Sequence, residues 1–539
     1  MLLPDIRDYD RLYRSFRWDI PARFNIATSV CDVWAERDGD RPAIIEVPVS
    51  GDVRITSYRQ MREQSNRLAN ALVRHGIAAG DRVAILLPQS AAVPVAHLAV
   101  YRMGAIALPL AVLFGVDALQ YRLTNAGARV LITDAAGVGK IAAIRGALPG
   151  LELILSVDGD DGAAIGLDRF VAGAGADFPT APTGPDDPAL MIYTSGTTGQ
   201  PKGALHAHRV LLGHMPGVQW PHEFMPQPGD RVWTPADWAW IGGLMNVLMT
   251  SLACGVPAVA HVFEKFDPEA AFAFMAQHQV RNTFIAPTAL RMLRTVARPR
   301  ERFGISLRTL ASGGETLGEE VYAWGRQELS LTINEFYGQT ECNLIAASCA
   351  AGGVSRSGSL GKAVPGHVVG IIREDGTPCA VGEIGIIAAR RPDPAMFLEY
   401  WGQPEATRAK FIGDWMKTGD QGRFDEDGYI FFVGRDDDVI TSSGYRIGPG
   451  EIEDCLISHP KVAIAAVVGK PDPVRTEIVK AFVVLKPGIA GDETLRRDIQ
   501  SYVRTRLSAH EYPREIEFVD SLPLTTTGKI IRRLLREQR

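Results

Sequence analysis

The stretch that decides the fold spans residues 193–203 and reads YTSGTTGQPKG. It follows a short apolar run, residues 189–193 (ALMIY), which is typical of a buried strand. Glycines let the backbone approach a phosphate, hydroxyls and N–H groups donate to its oxygens, and Lys202 supplies positive charge. The glycine spacing differs from that of a Walker A loop, and Lys202 precedes Gly203 rather than Ser or Thr. The alternative is a flexible polar loop, but its direct connection to a strand favours phosphate binding.

Outward from this loop, apolar strands alternate with helices. The sequence predicts strands at residues 82–87, 129–133 and 153–157, and a helix at residues 58–75. Continuous apolar strands between helices indicate a sheet covered on both faces, hence a layered α/β fold.

Two domains are expected, because single hydrophobic cores stop growing near ~250–300 residues and the chain has 539. The charged cluster at residues 435–438 interrupts the strand-and-helix pattern. We therefore predict a large N-terminal domain of layered subdomains, residues 1–434, and a small α/β domain, residues 435–539.

Composition excludes several classes of function. The net charge is −5 with no basic stripe, which argues against nucleic-acid binding. Six scattered cysteines without a C-x-x-C pair argue against a disulfide framework or a zinc ribbon and fit a reducing compartment. The most apolar stretch, residues 103–116, is shorter than the roughly 20 residues that span a bilayer, so we expect no stable membrane insertion. With no signal peptide in residues 1–16, the expected location is the cytoplasm.

The loop at residues 194–203 resembles the phosphate loop of the adenylate-forming superfamily: acyl-CoA synthetases, adenylation domains of peptide synthetases, and firefly luciferase. Six further segments resemble that family's motifs in the same order, although Thr316 stands where proline is common. They are SGGE (312–315), YGQTE (337–341), KTGD (417–420), GRDDD (434–438), SGYR (443–446) and TGK (527–529).

The resemblance implies an ATP site on the large domain. In it Tyr337 stacks on adenine, Thr340 touches the α-phosphate, Glu341 binds Mg²⁺, and Asp420 accepts from the ribose hydroxyls near Arg435. The other implied ATP-binding residues are Thr194, Ser195, Gly196, Thr197, Thr198, Gly199, Lys202, Gly314, Glu315, Gly338, Arg446 and Lys529.

The resemblance also assigns roles to the small domain. Asp437 is the implied hinge, Gly444 the implied passage for the pantetheine arm of CoA, and Lys529 the implied catalytic lysine, acting with Thr194 and Glu341. Read alone, Lys529 could be one base of a basic tail, and Arg446 a surface residue. Acetylation would remove the charge of Lys529, which implies a lysine acyltransferase and a deacylase as partners.

The chemistry agrees with these roles. Formation of an acyl-adenylate is an in-line attack of a carboxylate on the α-phosphate, so catalysis depends on positioning and positive charge. Mg²⁺ takes a carboxylate together with phosphate oxygens and waters. We therefore expect an ATP-dependent acyl-CoA synthetase that converts an acid, ATP and CoA into acyl-CoA, AMP and pyrophosphate. The alternative is a stand-alone adenylation enzyme that loads a carrier protein.

Two features bear on the acid. Trp240, one of several candidate core tryptophans, corresponds to an aromatic residue beside the acyl pocket in the family. Acetate-specific relatives carry tryptophan where this chain has Gly338, so we expect an open pocket for medium-chain, branched or arylalkanoic acids. The competing interpretation is that Gly338 only lets the backbone turn beside Glu341. His206 and His208 have the spacing of metal ligands on one strand face, but structural roles are favoured for them.

Overall fold

A computed structural model describes residues 3–194, 200–435, 438–442, 445–472, 476–506, 512–525 and 530–538. The fold is α/β, as predicted, with a large N-terminal and a small C-terminal unit.

The strands, in chain order, are β1 (Pro42–Glu46), β2 (Arg54–Ser57), β3 (Arg82–Leu86), β4 (Ile106–Pro109), β5 (Ala128–Thr133), β6 (Leu153–Ser156), β7 (Ile165–Gly166), β8 (Pro188–Thr194), β9 (Lys202–Ala207), β10 (Val232–Trp233), β11 (Ala258–Ala260), β12 (Asn282–Phe284), β13 (Thr309–Gly313), β14 (Ile333–Gln339), β15 (Cys342–Ala347), β16 (Lys362–Ala363), β17 (Val369–Ile372), β18 (Gly385–Arg390), β19 (Glu399–Tyr400), β20 (Phe411–Ile412), β21 (Trp415–Phe424), β22 (Ile430–Arg435), β23 (Ile440–Ser442), β24 (Tyr445–Ile447), β25 (Val462–Asp472), β26 (Thr476–Leu485) and β27 (Glu515–Phe518).

The α-helices are α1 (Tyr9–Ser15), α2 (Val33–Arg37), α3 (Tyr58–Arg74), α4 (Ala92–Arg102), α5 (Val116–Ala126), α6 (Ala135–Ala142), α7 (Leu167–Val171), α8 (Val210–Gln219), α9 (Ile241–Gly243), α10 (Thr250–Ala253), α11 (Pro268–Gln277), α12 (Pro287–Leu293), α13 (Pro299–Phe303), α14 (Glu319–Glu328), α15 (Pro404–Ala409), α16 (Pro449–Ile457), α17 (Glu493–Arg506) and α18 (Arg532–Glu537). Shorter π-helical turns span Thr28–Asp32 and Leu244–Met249, and 3₁₀ turns span Arg145–Ala147 and Ala350–Gly352.

Two large sheets form the body of the N-terminal unit. The first has the order β16-β15-β14-β13-β12-β10-β11-β1-β2, and the second β19-β9-β8-β4-β3-β5-β6-β7. Strands β3, β4, β5 and β6 pair in parallel and are nearly all buried, as expected for strands covered on both faces. The strands predicted from the apolar runs appear as β3, β5 and β6.

Helix α3 shows how the sequence sets these elements. Ser57 caps the helix by accepting from the Gln60 backbone, and the Gln60 side chain accepts from the Ser57 N–H, which forms a capping box. Met61, Leu68 and Leu72 are buried on one face, as the periodicity predicts.

A third, antiparallel sheet completes the large unit, with the order β17-β18-β21-β20 and with β22 paired to β21. This pairing sets Asp420 opposite Arg435. The chain then enters the fourth sheet, of order β24-β23-β26-β25 with β27 paired to β26. The predicted boundary between residues 434 and 435 falls at the end of β22 and stays a prediction.

An ion network holds the small unit together. Arg532 of α18 donates to Glu453 of α16 at 2.6 Å and lies 3.4 Å from Asp438, and Arg536 of α18 also pairs with Asp438. Glu453 further accepts from the backbone of Val467 at 2.8 Å. These contacts join α18, α16 and the residues just beyond β22. Over the described ranges, no helix has the length and apolar character to cross a membrane.

Candidate active site

The site forms around the end of β14, the middle of β21 and the start of β9. Tyr337, near the end of β14, donates its hydroxyl to Asp420 Oδ2 at 2.6 Å. Gln339 donates its amide to the same oxygen at 3.0 Å and to the carbonyl of Thr418 at 2.8 Å. Two of the residues predicted to touch the nucleoside, Tyr337 and Asp420, are therefore in direct contact, although they lie in different sheets.

Asp420 is a buried carboxylate held among mostly neutral donors. Its Oδ1 lies 3.9 Å from the Arg435 guanidinium. Burial raises the pKa of Asp420, while the charge of Arg435 and the hydrogen bonds from Tyr337 and Gln339 act in the opposite direction. Oδ1 thus faces the partly exposed Arg435 side chain, on the side from which a polyol can approach.

Glu341 lies with Thr340 in the turn between β14 and β15, and its side chain is buried. Its Oε1 accepts a short hydrogen bond from the hydroxyl of Tyr400. Tyr400 belongs to β19, which pairs with β9, and the Lys202 ammonium lies 5.1 Å from the Tyr400 ring centroid. A lysine predicted to meet phosphate is therefore close to a carboxylate predicted to bind metal.

The two ends of the phosphate loop are paired. Thr194 ends β8 and lies opposite Lys202, the first residue of β9, in an antiparallel register. Thr194 Oγ1 is 3.5 Å from the Lys202 carbonyl oxygen. Ser195, Gly196, Thr197, Thr198 and Gly199 lie outside the described residues, so their roles stay predictions.

The residues around Glu341 fit Mg²⁺. Glu341 Oε2 accepts no hydrogen bond from any residue that the structure describes, while Tyr400 fixes Oε1. A single oriented carboxylate suits Mg²⁺, which binds proteins through one or two carboxylates and keeps waters and phosphate oxygens. A cluster of three or more His, Cys, Asp or Glu side chains is not found in the described ranges, so this chain offers no all-protein metal cage there.

The predicted adenine segment lies at the end of β13. Gly314 has φ +91°, a conformation that favours glycine, and has open space where a Cβ would point. Glu315 accepts from the Thr288 hydroxyl at 2.7 Å and from Arg291 at 3.4 Å. The Glu315 carboxylate is thus held by α12, while the Gly314 backbone stays accessible.

Gly338 is packed against the next strand. A Cβ at this position would lie 2.4 Å from the backbone nitrogen of Leu344 and 2.6 Å from Asn343 Oδ1. These distances are shorter than normal contacts, so a side chain here must displace the β14–β15 hairpin. This geometry favours the interpretation in which Gly338 serves the backbone beside Glu341.

Trp240 is partly exposed and packs edge-to-face on Phe114, with ring centroids 5.6 Å apart. Trp233 and Trp238, in contrast, are fully buried core residues. Trp240 begins the segment that leads into the π-helical turn Leu244–Met249. Its role at the acyl pocket stays a prediction.

His206 is buried on β9, and His208 is buried one residue beyond the end of that strand. Burial lowers the pKa of His206 to about 3 and that of His208 to about 4, so both rings are neutral. His208 Nδ1 accepts from the backbone of Ile26 at 3.2 Å, which ties the N-terminal segment to this strand.

Four predicted site features fall on the small unit or its junction. Asp437, Gly444 and Lys529 lie outside the described residues, as does the side chain of Arg446. The hinge, the CoA passage and the catalytic lysine therefore stay predictions.

Sequence reasoning missed two residues of the site, Tyr400 and Lys410. Lys410 follows α15, and its ammonium lies 3.4 Å from Gln339 Oε1, 3.2 Å from the Lys417 carbonyl and 3.3 Å from the Thr418 carbonyl. Neither residue belongs to a recognisable motif, and only pairing between distant strands brings them to Glu341 and Asp420.

All six cysteines are free. Cys342 directly follows Glu341 and is fully buried, and burial raises its pKa well above the ordinary thiol value. Burial raises the pKa of Cys31, Cys254 and Cys349 to about 12 and also raises those of Cys379 and Cys455.

The fold combines a two-sheet α/β body with a smaller α/β unit, and a nucleoside-type site lies beside a loop flanked by a lysine. These features define the class of nucleotide-dependent acid-activating enzymes. The chain belongs to the AMP-binding enzyme family: residues 31–401 match the AMP-binding enzyme family and residues 451–529 match the AMP-binding enzyme C-terminal domain.

Three similar proteins illustrate the relationship. The chain is 34% identical to the acyl-CoA ligase YtcI of Bacillus subtilis over 520 residues, covering 96% of each chain. It is 34% identical to the mitochondrial acyl-coenzyme A synthetase ACSM4 of Homo sapiens, covering 99% of this chain and 93% of that one. It superposes on the anthranilate CoA ligase AuaEII in complex with anthranoyl-AMP with a TM-score of 0.88 at 29% identity, covering 96% and 98%. The protein is an AMP-forming acid–CoA ligase with ATP and CoA as substrates.

Proposed function

We propose that this ligase activates medium-chain, branched or arylalkanoic acids through an acyl-adenylate, with Mg²⁺ at Glu341. The observation that carries the acid class is an aromatic wall beside the site. The rings of Phe284 and Phe336 lie 5.1 Å apart, and a Cβ on Gly242, two residues after Trp240, would lie 3.1 Å from the Phe284 ring. Phe336 directly precedes Tyr337 in β14, and successive side chains of a strand point to opposite faces, so this wall lies across the strand from the ring proposed to stack on adenine.

In the first half-reaction, the acid carboxylate attacks the α-phosphate and pyrophosphate leaves. Tyr337 stacks on adenine, and Asp420 with Arg435 orients the ribose. Lys202 and Lys529 offset negative charge around the reacting phosphate. Mg²⁺, when bound, neutralises phosphate oxygens, and Tyr400 keeps the Glu341 carboxylate oriented toward it.

In the second half-reaction, the thiol of CoA attacks the acyl carbonyl and AMP leaves. The small unit changes its position about Asp437, and the pantetheine arm passes Gly444. Asp420 and Tyr337 hold the AMP part through both steps, because the nucleoside does not leave between them.

A panel of acids tests the acid class. Pyrophosphate release and thioester formation are measured with acetate, butyrate, hexanoate, octanoate and 3-phenylpropanoate, each with and without CoA. The expected result is the highest kcat/KM for hexanoate, octanoate or 3-phenylpropanoate, since each additional buried methylene contributes about 0.8 kcal/mol. Highest kcat/KM for acetate would contradict the proposal.

The alternative, transfer of the acyl group to a carrier protein, predicts pyrophosphate release without stimulation by CoA. Formation of acyl-CoA in the same assay excludes it. We further propose a cytoplasmic location and reversible acylation of Lys529 by a lysine acyltransferase and a deacylase. Full activity of the Lys529-acetylated enzyme would contradict this regulation.

A further inference from the structure

Lys410 is an ammonium group placed among neutral oxygens. Its Nζ lies within 3.2–3.4 Å of one side-chain oxygen, from Gln339, and of two backbone carbonyls, from Lys417 and Thr418. It forms no salt bridge with any carboxylate in the part of the chain that the structure describes. Burial lowers its pKa, whereas the negative charges of Glu341 and Asp420 raise it. A buried charge of this kind requires good hydrogen-bond partners, and these three oxygens supply them.

The position of Lys410 decides how the amide of Gln339 is oriented. Lysine has only donors, so it must meet the carbonyl oxygen of Gln339 and not its NH₂ group. The NH₂ group is thereby directed at Asp420 Oδ2, at 3.0 Å, and at the Thr418 carbonyl, at 2.8 Å. Without Lys410, no cation on that side of Gln339 would require the amide oxygen, and not the NH₂ group, to face it.

The same cation also holds the strand that carries Asp420. The carbonyls of Lys417 and Thr418 belong to β21, three and two residues before Asp420. Thr418 Oγ1 accepts in turn from the Asp420 backbone at 3.1 Å. Both the side chain and the backbone of Asp420 are therefore connected to Lys410 through one intermediate residue.

We propose that Lys410 is a positioning residue for Asp420, acting through Gln339 and the β21 backbone. The inference rests on the proposed role of Asp420 at the ribose. Lys410 itself touches neither substrate nor metal in this role. Its loss should weaken recognition of the ribose hydroxyls while leaving the chemistry of the α-phosphate in place.

The test compares Lys410→Met with Lys410→Arg, Gln339→Ala and Asp420→Asn, using ATP, 2′-deoxy-ATP and 3′-deoxy-ATP in acid-dependent pyrophosphate release. Arg408→Met is the matched control, since Arg408 lies on α15, two residues before Lys410, with an exposed side chain. For Lys410→Met we expect KM for ATP to rise about tenfold, the scale of a lost hydrogen bond to a charged group, with kcat nearly unchanged. The rise in KM caused by Lys410→Met should be smaller for the deoxynucleotides, which lack a hydroxyl that Asp420 recognises.

Three further results support the inference. Lys410→Arg should retain most of the affinity for ATP, because it keeps the charge and the donors. Gln339→Ala should reproduce the rise in KM for ATP. The double variant Gln339→Ala/Lys410→Met should show no higher KM than either single variant, since both residues act on one chain of contacts. Arg408→Met should match the wild type.

Two results would overturn it, and they are distinguishable. If Asp420→Asn discriminates between ATP and the deoxynucleotides as the wild type does, the ribose assignment fails and this inference fails with it. If Asp420→Asn loses discrimination but Lys410→Met lowers kcat equally for all three nucleotides, Lys410 has only a structural role. If Lys410→Met does not fold, the Gln339→Ala variant tests the inference by itself. An equal loss of activity with all three nucleotides in that variant also refutes positioning of Asp420 by Lys410 through Gln339.

Discussion

The large unit and the small unit hold their buried carboxylates in different ways. On the large unit, Asp420 is bonded by Tyr337 and Gln339, and Glu341 is bonded by Tyr400. These donors are neutral, and the Arg435 guanidinium comes no nearer to Asp420 than 3.9 Å, so the charge of the carboxylates stays available to a ribose or a metal ion.

On the small unit, Asp438 and Glu453 are paired with arginines of α18. These charges cancel one another, so the network acts as an internal clamp. The comparison teaches that buried acids beside a substrate are fixed by hydroxyls and amides, whereas buried acids that only hold a fold are paired with cations.

The largest effect is expected from breaking the clamp. Arg532→Met leaves Glu453 without its cation and Asp438 with Arg536 alone, and loss of one partner of a buried pair costs about 3–5 kcal/mol. Urea unfolding of the wild type and the variant measures this cost. Arg533→Met is the control, because Arg533 has an exposed side chain that pairs with Glu537 on the same helix; its cost should be near zero. Equal losses in the two variants would contradict the clamp.

The next largest effect concerns Lys529, the proposed catalytic lysine. Lys529→Ala should slow acid-dependent pyrophosphate release ~10²–10³-fold, the usual effect of removing a group that stabilises developing charge. Thioester formation from supplied acyl-adenylate should be nearly unchanged, because the proposed change of position about Asp437 would turn a different face of the small unit to the site in that step. Equal losses in both half-reactions would contradict a role confined to adenylation.

On the large unit, Tyr400→Phe removes the donor that orients Glu341. A hydrogen bond to a charged group contributes about 1.5–3 kcal/mol, so kcat/KM should fall roughly tenfold to a hundredfold. The concentration of Mg²⁺ needed for half-maximal activity should rise in the variant, which separates orientation of Glu341 from general damage. An unchanged Mg²⁺ requirement would place Tyr400 outside the metal site.

Gly338→Trp separates the two interpretations of Gly338. Because a Cβ here would meet the Asn343–Leu344 backbone at 2.4–2.8 Å, we expect overpacking that costs ~1–3 kcal/mol or more and displaces the hairpin beside Glu341. Values of kcat/KM for acetate, butyrate, hexanoate and octanoate should then fall alike. A selective loss of the longer acids, with acetate spared, would instead assign Gly338 to the floor of the acyl pocket.

The smallest effect is a pH dependence where the two units meet. Asp454 of α16 lies against the start of α14, with its carboxylate 3.4 Å from where a Cβ of Gly318 would be. Burial raises its pKa from 3.8 to about 7, with Arg291 opposing and Glu453, Glu320 and Glu319 adding to the rise. Burial also raises the pKa of the nearby Glu335 from 4.5 to about 8, and Asp454 adds to that rise.

The sign of this dependence follows from proton counts. Between the unfolded and folded pKa values, the native state holds protons that the unfolded state has released, so stability falls as pH rises from about 4 to about 8. Asp454→Asn removes one of these groups and lowers the pKa of Glu335. Urea midpoints at pH 5, 6, 7 and 8 should therefore decline less steeply in the variant, and an identical slope would contradict the assignment.

Much of this architecture follows from local sequence. The runs that form β3, β5 and β6 are apolar throughout, and the Ser57–Gln60 capping box starts α3 where the periodicity begins. The family resemblance implied that Tyr337 and Asp420 serve one nucleoside, but their direct contact, between residues of different sheets, is seen only in the structure.

The remaining site contacts could not be predicted in this way. Tyr400 reaches Glu341 only because β19 pairs with β9, and Lys410 reaches Gln339 only because β20 turns back onto β21. Neither lies in a motif, and their neighbours in sequence give no sign of the charges they meet. The close packing of Gly338 on Leu344 likewise depends on the hairpin register between β14 and β15.

Five of the six cysteines are buried and Cys379 is partly buried, which has a consequence for the fidelity of the reaction. An acyl-adenylate transfers its acyl group to whichever thiolate reaches it first, and Cys342 lies one residue from Glu341. Because burial holds the pKa of Cys342 and of the other five thiols above the ordinary value, these side chains remain protonated and poorly nucleophilic at neutral pH. The enzyme can therefore keep its activated intermediate until CoA arrives without acylating its own sulfur atoms.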